Sequence, residues 1–174
     1  MGGSQAAKIF AEELPMIFKK LKNSFPSIKI YQQCLKNQND NLSKFYNNAG
    51  IDYEIFNFSD NIINYYSKIN LVISRSGASV LGELINMNKP FISIPLPTSA
   101  DDHQLKNAEF YQKKGYGLLL PEREIKYKLF DLINSIYQDK SILKNIITNQ
   151  RQYSDKDIFR NLNIEIKKII NEKN

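Results

Sequence analysis

Cysteine and histidine are nearly absent from this chain. With Cys34 alone, no disulfide can form within it, and one histidine, His103, is too few to complete either common zinc pattern. Cys34 is therefore expected as a buried or idle thiol. No apolar run approaches the roughly 20 residues that a membrane-spanning helix needs. Nor does the start show a basic segment followed by an apolar one, so no secretory signal is read and a cytoplasmic protein is expected. The net charge of +6 would suit nucleic acid, but the lysines are scattered along the chain. No helix-turn-helix and no aromatic RNA-binding signature accompanies them, so no nucleic-acid partner is expected. Repeats and low-complexity linkers are also missing. What remains is 174 residues, 42% of them apolar, enough for one globular domain with its own core.

Periodicity divides that domain into alternating elements. Residues Gln5 to Asn23 carry Ile9, Phe10, Leu14, Ile17, Phe18 and Leu21 at helical spacing, with Pro15 as a potential kink. Strand patterns cover Ser27 to Gln33, Tyr53 to Phe56, Leu71 to Ser74, Phe91 to Pro95 and Tyr116 to Leu120. Helices are predicted between them: Asp40 to Asn48, a short one capped by Asp60, one from Gly77 to about Met87, and Ala100 to Lys114 ended by Gly115. Three more close the chain, over Glu122 to Tyr137, Ser141 to Gln150, and Asp155 to about Asn171. Strand-helix alternation throughout predicts an α/β fold with a doubly wound, Rossmann-like parallel sheet.

Two segments resemble the turns that receive phosphorylated ligands. Ser74-Arg75-Ser76-Gly77-Ala78-Ser79-Val80-Leu81-Gly82-Glu83 follows the apolar run Leu71-Val72-Ile73, and Gly2-Gly3-Ser4-Gln5 opens the first helix with no strand before it. A Gly- and Ser-rich turn at a helix start presents unpaired N–H groups and the positive end of the helix dipole. Ser4 either holds a phosphate there or caps its helix. Ligands of open parallel sheets bind beyond the carboxyl ends of the strands, which adds two further loops. Phe58-Ser59-Asp60 could pair a backbone group with a planar base or be a plain capped turn. Asp101-Asp102-His103-Gln104 offers paired acids that cap and charge-complement a helix, beside His103 and Gln104 as hydrogen-bonding groups toward a sugar. Glu83, little more than one turn into its helix, suits the hydroxyls of a ribose.

Together, Gly2-Gly3-Ser4-Gln5, Tyr31-Gln32-Gln33, Phe58-Ser59-Asp60, Arg75-Ser76-Gly77-Ala78 with Glu83, Pro90, Pro95, and His103-Gln104 before Asn107-Ala108 form a collinear set. Over nearly the whole chain it resembles the carboxyl-terminal half of the MurG-type glycosyltransferase family. Members move N-acetylglucosamine from UDP-N-acetylglucosamine (UDP-GlcNAc) to an undecaprenyl-linked acceptor, converting lipid I to lipid II in peptidoglycan synthesis.

The resemblance implies the donor-binding half, residues 1–174, of a two-domain GT-B enzyme that inverts configuration without metal or other cofactor. It implies that Ser4 contacts the diphosphate, the Ser59 backbone reads the uracil, and Ala78, Ser79, Val80, Leu81 and Gly82 approach phosphate and ribose. Glu83 would hold the ribose and Gln104 the N-acetylglucosamine, while Arg75 supports its loop. Ala6 and Ser59 depart from the family pattern, as small and tolerable changes. The acceptor site, the general base and the docking to the cytoplasmic face of the inner membrane are expected in an amino-terminal domain that this chain lacks, along with the first strand of the sheet. Two other readings stand beside it: the donor subunit of a two-chain transferase with a partner chain, and a nucleotide-binding module without transfer. Without its first strand the sheet should expose a central edge, which predicts association or poor solubility.

Overall fold

A computed structural model of the chain describes residues 4–57, 59 and 62–153, with side chains from Lys8 onward. Gly2, Gly3, Phe58, Asp60 and the helix expected over Asp155 to Asn171 lie outside the described residues. Helix α1 spans Ser4–Ser24 and runs through Pro15. Its stripe of Phe10, Leu14, Ile17, Phe18 and Leu21 is buried, as the three- and four-residue spacing requires. Strand β1 (Lys29–Gln33) leads through a 3-10 turn at Lys36–Gln38 to α2 (Asn39–Asn48), then β2 (Asp52–Phe56) and the single turn α3 (Ile63–Tyr66). Strand β3 (Val72–Ser74), α4 (Ala78–Asn86), β4 (Phe91–Ser93), α5 (His103–Lys113) and β5 (Leu118–Leu119) follow, and α6 (Ile125–Gln138) and α7 (Ser141–Arg151) complete the described chain.

All strand pairs are parallel. Among the described residues they form two sheets, β1-β2 and β3-β4-β5, and no ladder joins β1 to β3. The expectation of one doubly wound sheet holds for the α/β architecture and strand direction, while the ladder is divided between β1 and β3. Strand β4 is buried along its whole length, and alternate residues serve opposite faces. Ile92 joins a cluster with Leu21 of α1 and Leu129 of α6, whereas Phe91 joins Leu81 and Leu84 of α4. Helices therefore cover both faces, α1 against α2 and α6, α4 against α7. Each fully buried leucine of these clusters contributes about 1.5–3 kcal/mol through removal from water.

Where the helix expected from Ala100 begins, Ala100–Asp102 form a 3-10 turn and α5 starts at His103. The cause is backbone: Asp101 (φ 49°) and Asp102 (φ 54°) are left-handed, a conformation aspartate tolerates better than most residues. Asp102 occupies the cap position without a side-chain capping bond, so the capping role read from the sequence is not made by its carboxylate. Gly115 ends α5 with φ 71°, as a helix-terminating glycine should.

Candidate functional site

The loops after β3 and β4 are held together by one side chain. Gln104, in the first turn of α5, accepts through Oε1 from the Ser76 N–H (3.2 Å) and the Leu96 N–H (3.1 Å). Both partners are donors, so the amide orientation is forced and Nε2 is left on its opposite side. One turn later, Asn107 Nδ2 donates to the Ser76 carbonyl at 3.0 Å. Gln104 and Asn107 thus clasp both backbone groups of Ser76, which fixes the entry to α4. Asn107 entered the sequence reading only as part of the motif set and was given no contact, although its three-residue offset from Gln104 places both on one helix face.

Arg75 anchors the same loop from beneath. Its Nη1 donates to the carbonyls of Ile94 (3.3 Å) and Pro95 (3.2 Å), Nη2 pairs with Glu122 at 2.5 Å, and the guanidinium lies 5.3 Å from the Phe10 ring centroid. A buried cation with four partners of this kind is a fastener between the β3 and β4 ends, α1 and the approach to α6. It has the supporting role expected from the sequence.

Helix α4 opens at Gly77, which is extended (φ −65°, ψ 137°), and the first-turn amides of Ala78, Ser79 and Val80 have no helical acceptor behind them. Ala78 and Ser79 are exposed, Val80 and Gly82 half-buried, and Leu81 is fully buried in the core. Leu81 therefore reaches a ligand only through its backbone. Neither Gly77 nor Gly82 has a positive φ, and a Cβ built at either meets nothing within 4 Å. Packing and backbone conformation leave both glycines unexplained, in contrast to Gly117, where a Cβ would stand 2.2 Å from the Phe91 ring. The open face of α4 has room for an outside group.

Glu83 is half-buried on α4 and is hydrogen-bonded by the hydroxyl of Tyr66, the last residue of α3. Burial pushes the Tyr66 phenol well above its ordinary range, and the Glu83 charge adds to the effect. A phenol kept protonated donates persistently and so orients the Glu83 carboxyl group. The sequence reading gave Tyr66 no part in the site, so this second positioning residue was missed. His103 is exposed and its Nδ1 lies 2.7 Å from the Ala100 carbonyl, so Nδ1 carries the proton and Nε2 faces outward.

Ala78 to Gly82, Glu83 and Gln104 are thus brought together around the β3–α4 loop. Ser59 stands half-buried beyond the carboxyl end of β2, in the loop before α3, the helix that supplies Tyr66. Ser4 is the first residue of α1, whose early turns meet Arg75 through Phe10; its side chain lies outside the described set.

Residues 1–162 match the Glycosyltransferase family 28 C-terminal domain. The chain belongs to this family. Among its relatives, the UDP-N-acetylglucosamine--N-acetylmuramyl-(pentapeptide) pyrophosphoryl-undecaprenol N-acetylglucosamine transferase of Pelagibacter ubique is 38% identical over 174 residues, spanning 99% of this chain and 48% of the relative. The Rickettsia bellii transferase of the same name is 35% identical over 158 residues, 87% of this chain and 44% of its own. The crystal structure of Acinetobacter baumannii MurG superimposes with a TM-score of 0.76 at 25% identity, over 88% of this chain and 44% of that one. The family 28 chain described here spans about half the length of the curated relatives it matches. Its fold is the one found in half of that MurG chain, an α/β unit of the GT-B class.

Proposed function

We propose that this chain is the donor-binding half of an inverting N-acetylglucosaminyltransferase that carries N-acetylglucosamine from UDP-GlcNAc to lipid I, forming lipid II at the cytoplasmic face of the membrane. The names of its relatives support the reaction class. The observation that carries the reading is the Gln104 amide, whose oxygen is engaged by two loops while its amine faces the other way, poised to donate to a sugar hydroxyl.

In this reading the amides of Ala78 to Gly82 and the α4 dipole receive the phosphate and ribose, and Glu83, steadied by Tyr66, accepts from the ribose hydroxyls. Ser4 at the start of α1 meets the diphosphate, and the backbone of Ser59 reads the uracil edge. The acceptor hydroxyl forms its bond to the anomeric carbon from the face opposite UDP. The bond from that carbon to the diphosphate oxygen breaks, and its electron pair departs with UDP. The hydroxyl proton goes to a base supplied by the other half of the enzyme, along with the acceptor site. The contribution of this half is electrostatic: helix-start amides stabilise the charge that develops on the leaving diphosphate.

Calorimetric titration of the folded chain with UDP-GlcNAc, UDP-glucose and UMP, without added metal, tests the reading. Binding of UDP-GlcNAc at least about tenfold tighter than UDP-glucose, a difference of about 1.4 kcal/mol, is expected. Equal affinity for UMP and UDP-GlcNAc would reduce the chain to a nucleotide-binding module, and no binding would remove the donor reading.

A further inference from the structure

The loop that follows β2 is pinned at both of its ends to the β1-β2 pair. At its start stands Asn57, half-buried, directly after the last residue of β2. The Asn57 carbonyl accepts from Gln33 Nε2 at 3.1 Å, and Asn57 Nδ2 donates to the Cys34 carbonyl at 3.0 Å and to Asn39 Oδ1 at 2.9 Å. Asn39, the first residue of α2, returns a longer bond from its own Nδ2 to Asn57 Oδ1 at 3.4 Å. Cys34 completes the group: burial pushes its thiol above the ordinary range, so it stays protonated and donates to Asn39 Oδ1 at 3.1 Å. Both hydrogens of the Asn57 amide thus have acceptors, which forces its orientation. At the other end of the loop, Tyr65 docks α3 on the same strands. Its ring stacks on Phe56 with centroids 4.4 Å apart, and its hydroxyl donates to Glu54 at 2.8 Å.

A connection from a strand to a helix needs no such fastening, since loops ordinarily run free over the surface. Here side chains from the end of β1, the start of α2 and the loop itself converge on one loop residue. They do so beyond the carboxyl ends of β1 and β2, the edge at which open parallel sheets take their ligands. Satisfied polar networks of this kind rigidify what they hold. Rigidity matters most where a ligand is met by backbone groups, because a hydrogen bond weakens steeply once its angle is lost. Ser59 lies two residues beyond Asn57 in this loop.

We propose, resting on the reading of Ser59 as the uracil contact, that the Asn39–Asn57 pair is a positioning device for base selection: it holds the Ser59 backbone at the spacing and angle that pair with uracil and reject cytosine. The pair acts through that backbone, with no contact of its own to the nucleotide. Uracil offers O4 as an acceptor and N3–H as a donor. Cytosine reverses both, with an amino donor at C4 and N3 as an acceptor. A backbone N–H and C=O fixed for uracil therefore face like groups in cytosine and stay unpaired, which is the costly outcome. A loop free to turn its peptide groups would relieve that mismatch and pair less well with uracil. The asparagine pair thus sets the difference between two bases, while the phosphate is met elsewhere, at the start of α4.

The test titrates the full chain with UMP and with CMP, followed by amide shifts in NMR, with the urea midpoint of each variant as the check on folding. The unaltered chain should bind UMP at least about tenfold more tightly than CMP. Asn39→Ala and Asn57→Ala each remove one side of the pair, and either one that folds carries the comparison. Each should lower the preference for UMP at least about fivefold, through loss of UMP affinity with CMP unchanged. Asn39→Asp keeps an acceptor for the Asn57 amide and the Cys34 thiol, so it should retain the preference of the unaltered chain. A preference that survives in the alanine variants overturns the proposal, and so does a parallel loss for UMP and CMP, the mark of a merely structural role. Loss in Asn39→Asp as large as in Asn39→Ala overturns the hydrogen bond as its cause. Equal or absent binding of the two nucleotides by the unaltered chain overturns the uracil reading of Ser59 and the positioning role with it, a result seen before any variant is made and so distinct from failure of the asparagine pair alone.

Discussion

Replacement of Gly82 by alanine separates what the fold needs from what a ligand needs. Gly82 sits inside α4, where glycine is worse than alanine by about 0.5–1 kcal/mol because of the backbone freedom it loses. An added Cβ meets nothing within 4 Å and the φ is not positive, so the methyl should enter open space without strain. The variant is therefore expected to gain about 0.5–1 kcal/mol, which for a chain of this size raises the Tm by about 1–4 °C. If phosphate and ribose press against this face of α4, the same methyl overfills the contact. Such overpacking costs about 1–3 kcal/mol, a loss of roughly 5- to 150-fold in affinity for UDP-GlcNAc. Urea denaturation and calorimetric titration on the same preparation give both numbers, and opposite signs are the expected result. A variant more stable with unchanged affinity would refute close approach of the donor to α4. A variant less stable would show that the open space above Gly82 has been misjudged.

Gly117 should behave in the opposite way, because its Cβ would stand 2.2 Å from the buried Phe91 ring; Gly117→Ala is expected to lose about 1–3 kcal/mol in urea unfolding. Gln104→Glu keeps an acceptor for the Ser76 and Leu96 amides but removes the outward amine. Stability should hold within about 1 kcal/mol while UDP-GlcNAc, and not UDP, binds at least about tenfold more weakly; parallel losses for both ligands would place Gln104 away from the sugar. Arg75→Leu leaves Glu122 without its partner and strips donors from Ile94 and Pro95, so unfolding should come about 3 kcal/mol earlier by denaturant titration. Burial raises the phenol pKa of Tyr46 and of Tyr66 above the free value near 10. The unfolded phenols then release protons before the folded ones, so stability is full below about pH 10 and falls as pH rises beyond it. Urea midpoints measured between pH 8 and 11 should show this decline, and Tyr46→Phe should make it shallower.

Much of the fold was legible because it is written in local periodicity. The three- and four-residue steps of α1 matched its buried face from Phe10 to Leu21, and the strand pattern over Ser27 to Gln33 matched β1, with Ile30 buried. The family could be read because its motif residues keep their order along the chain. Less legible was the start of α5, since nothing in Asp101-Asp102 announces two left-handed residues in succession. The burial of Gln32 was also hidden. Its carbonyl oxygen accepts from the Tyr46 hydroxyl of α2, a partner that no strand pattern names.

The sequence by itself determined the α/β alternation, the direction of the strands, the family and the roll of candidate site residues, because each follows from spacing within a few residues or from motif order. The tertiary structure alone decided how those residues act. Gln104 meets Ser76 across 28 residues, and Glu83 receives its hydroxyl partner from α3, on the far side of β3 in the chain. The same holds for the pairing of the strands. A strand pattern specifies which face of a strand is buried, but its edge partners are set by where the helices hold it, and among the described residues β1 pairs with β2 while β3 pairs with β4.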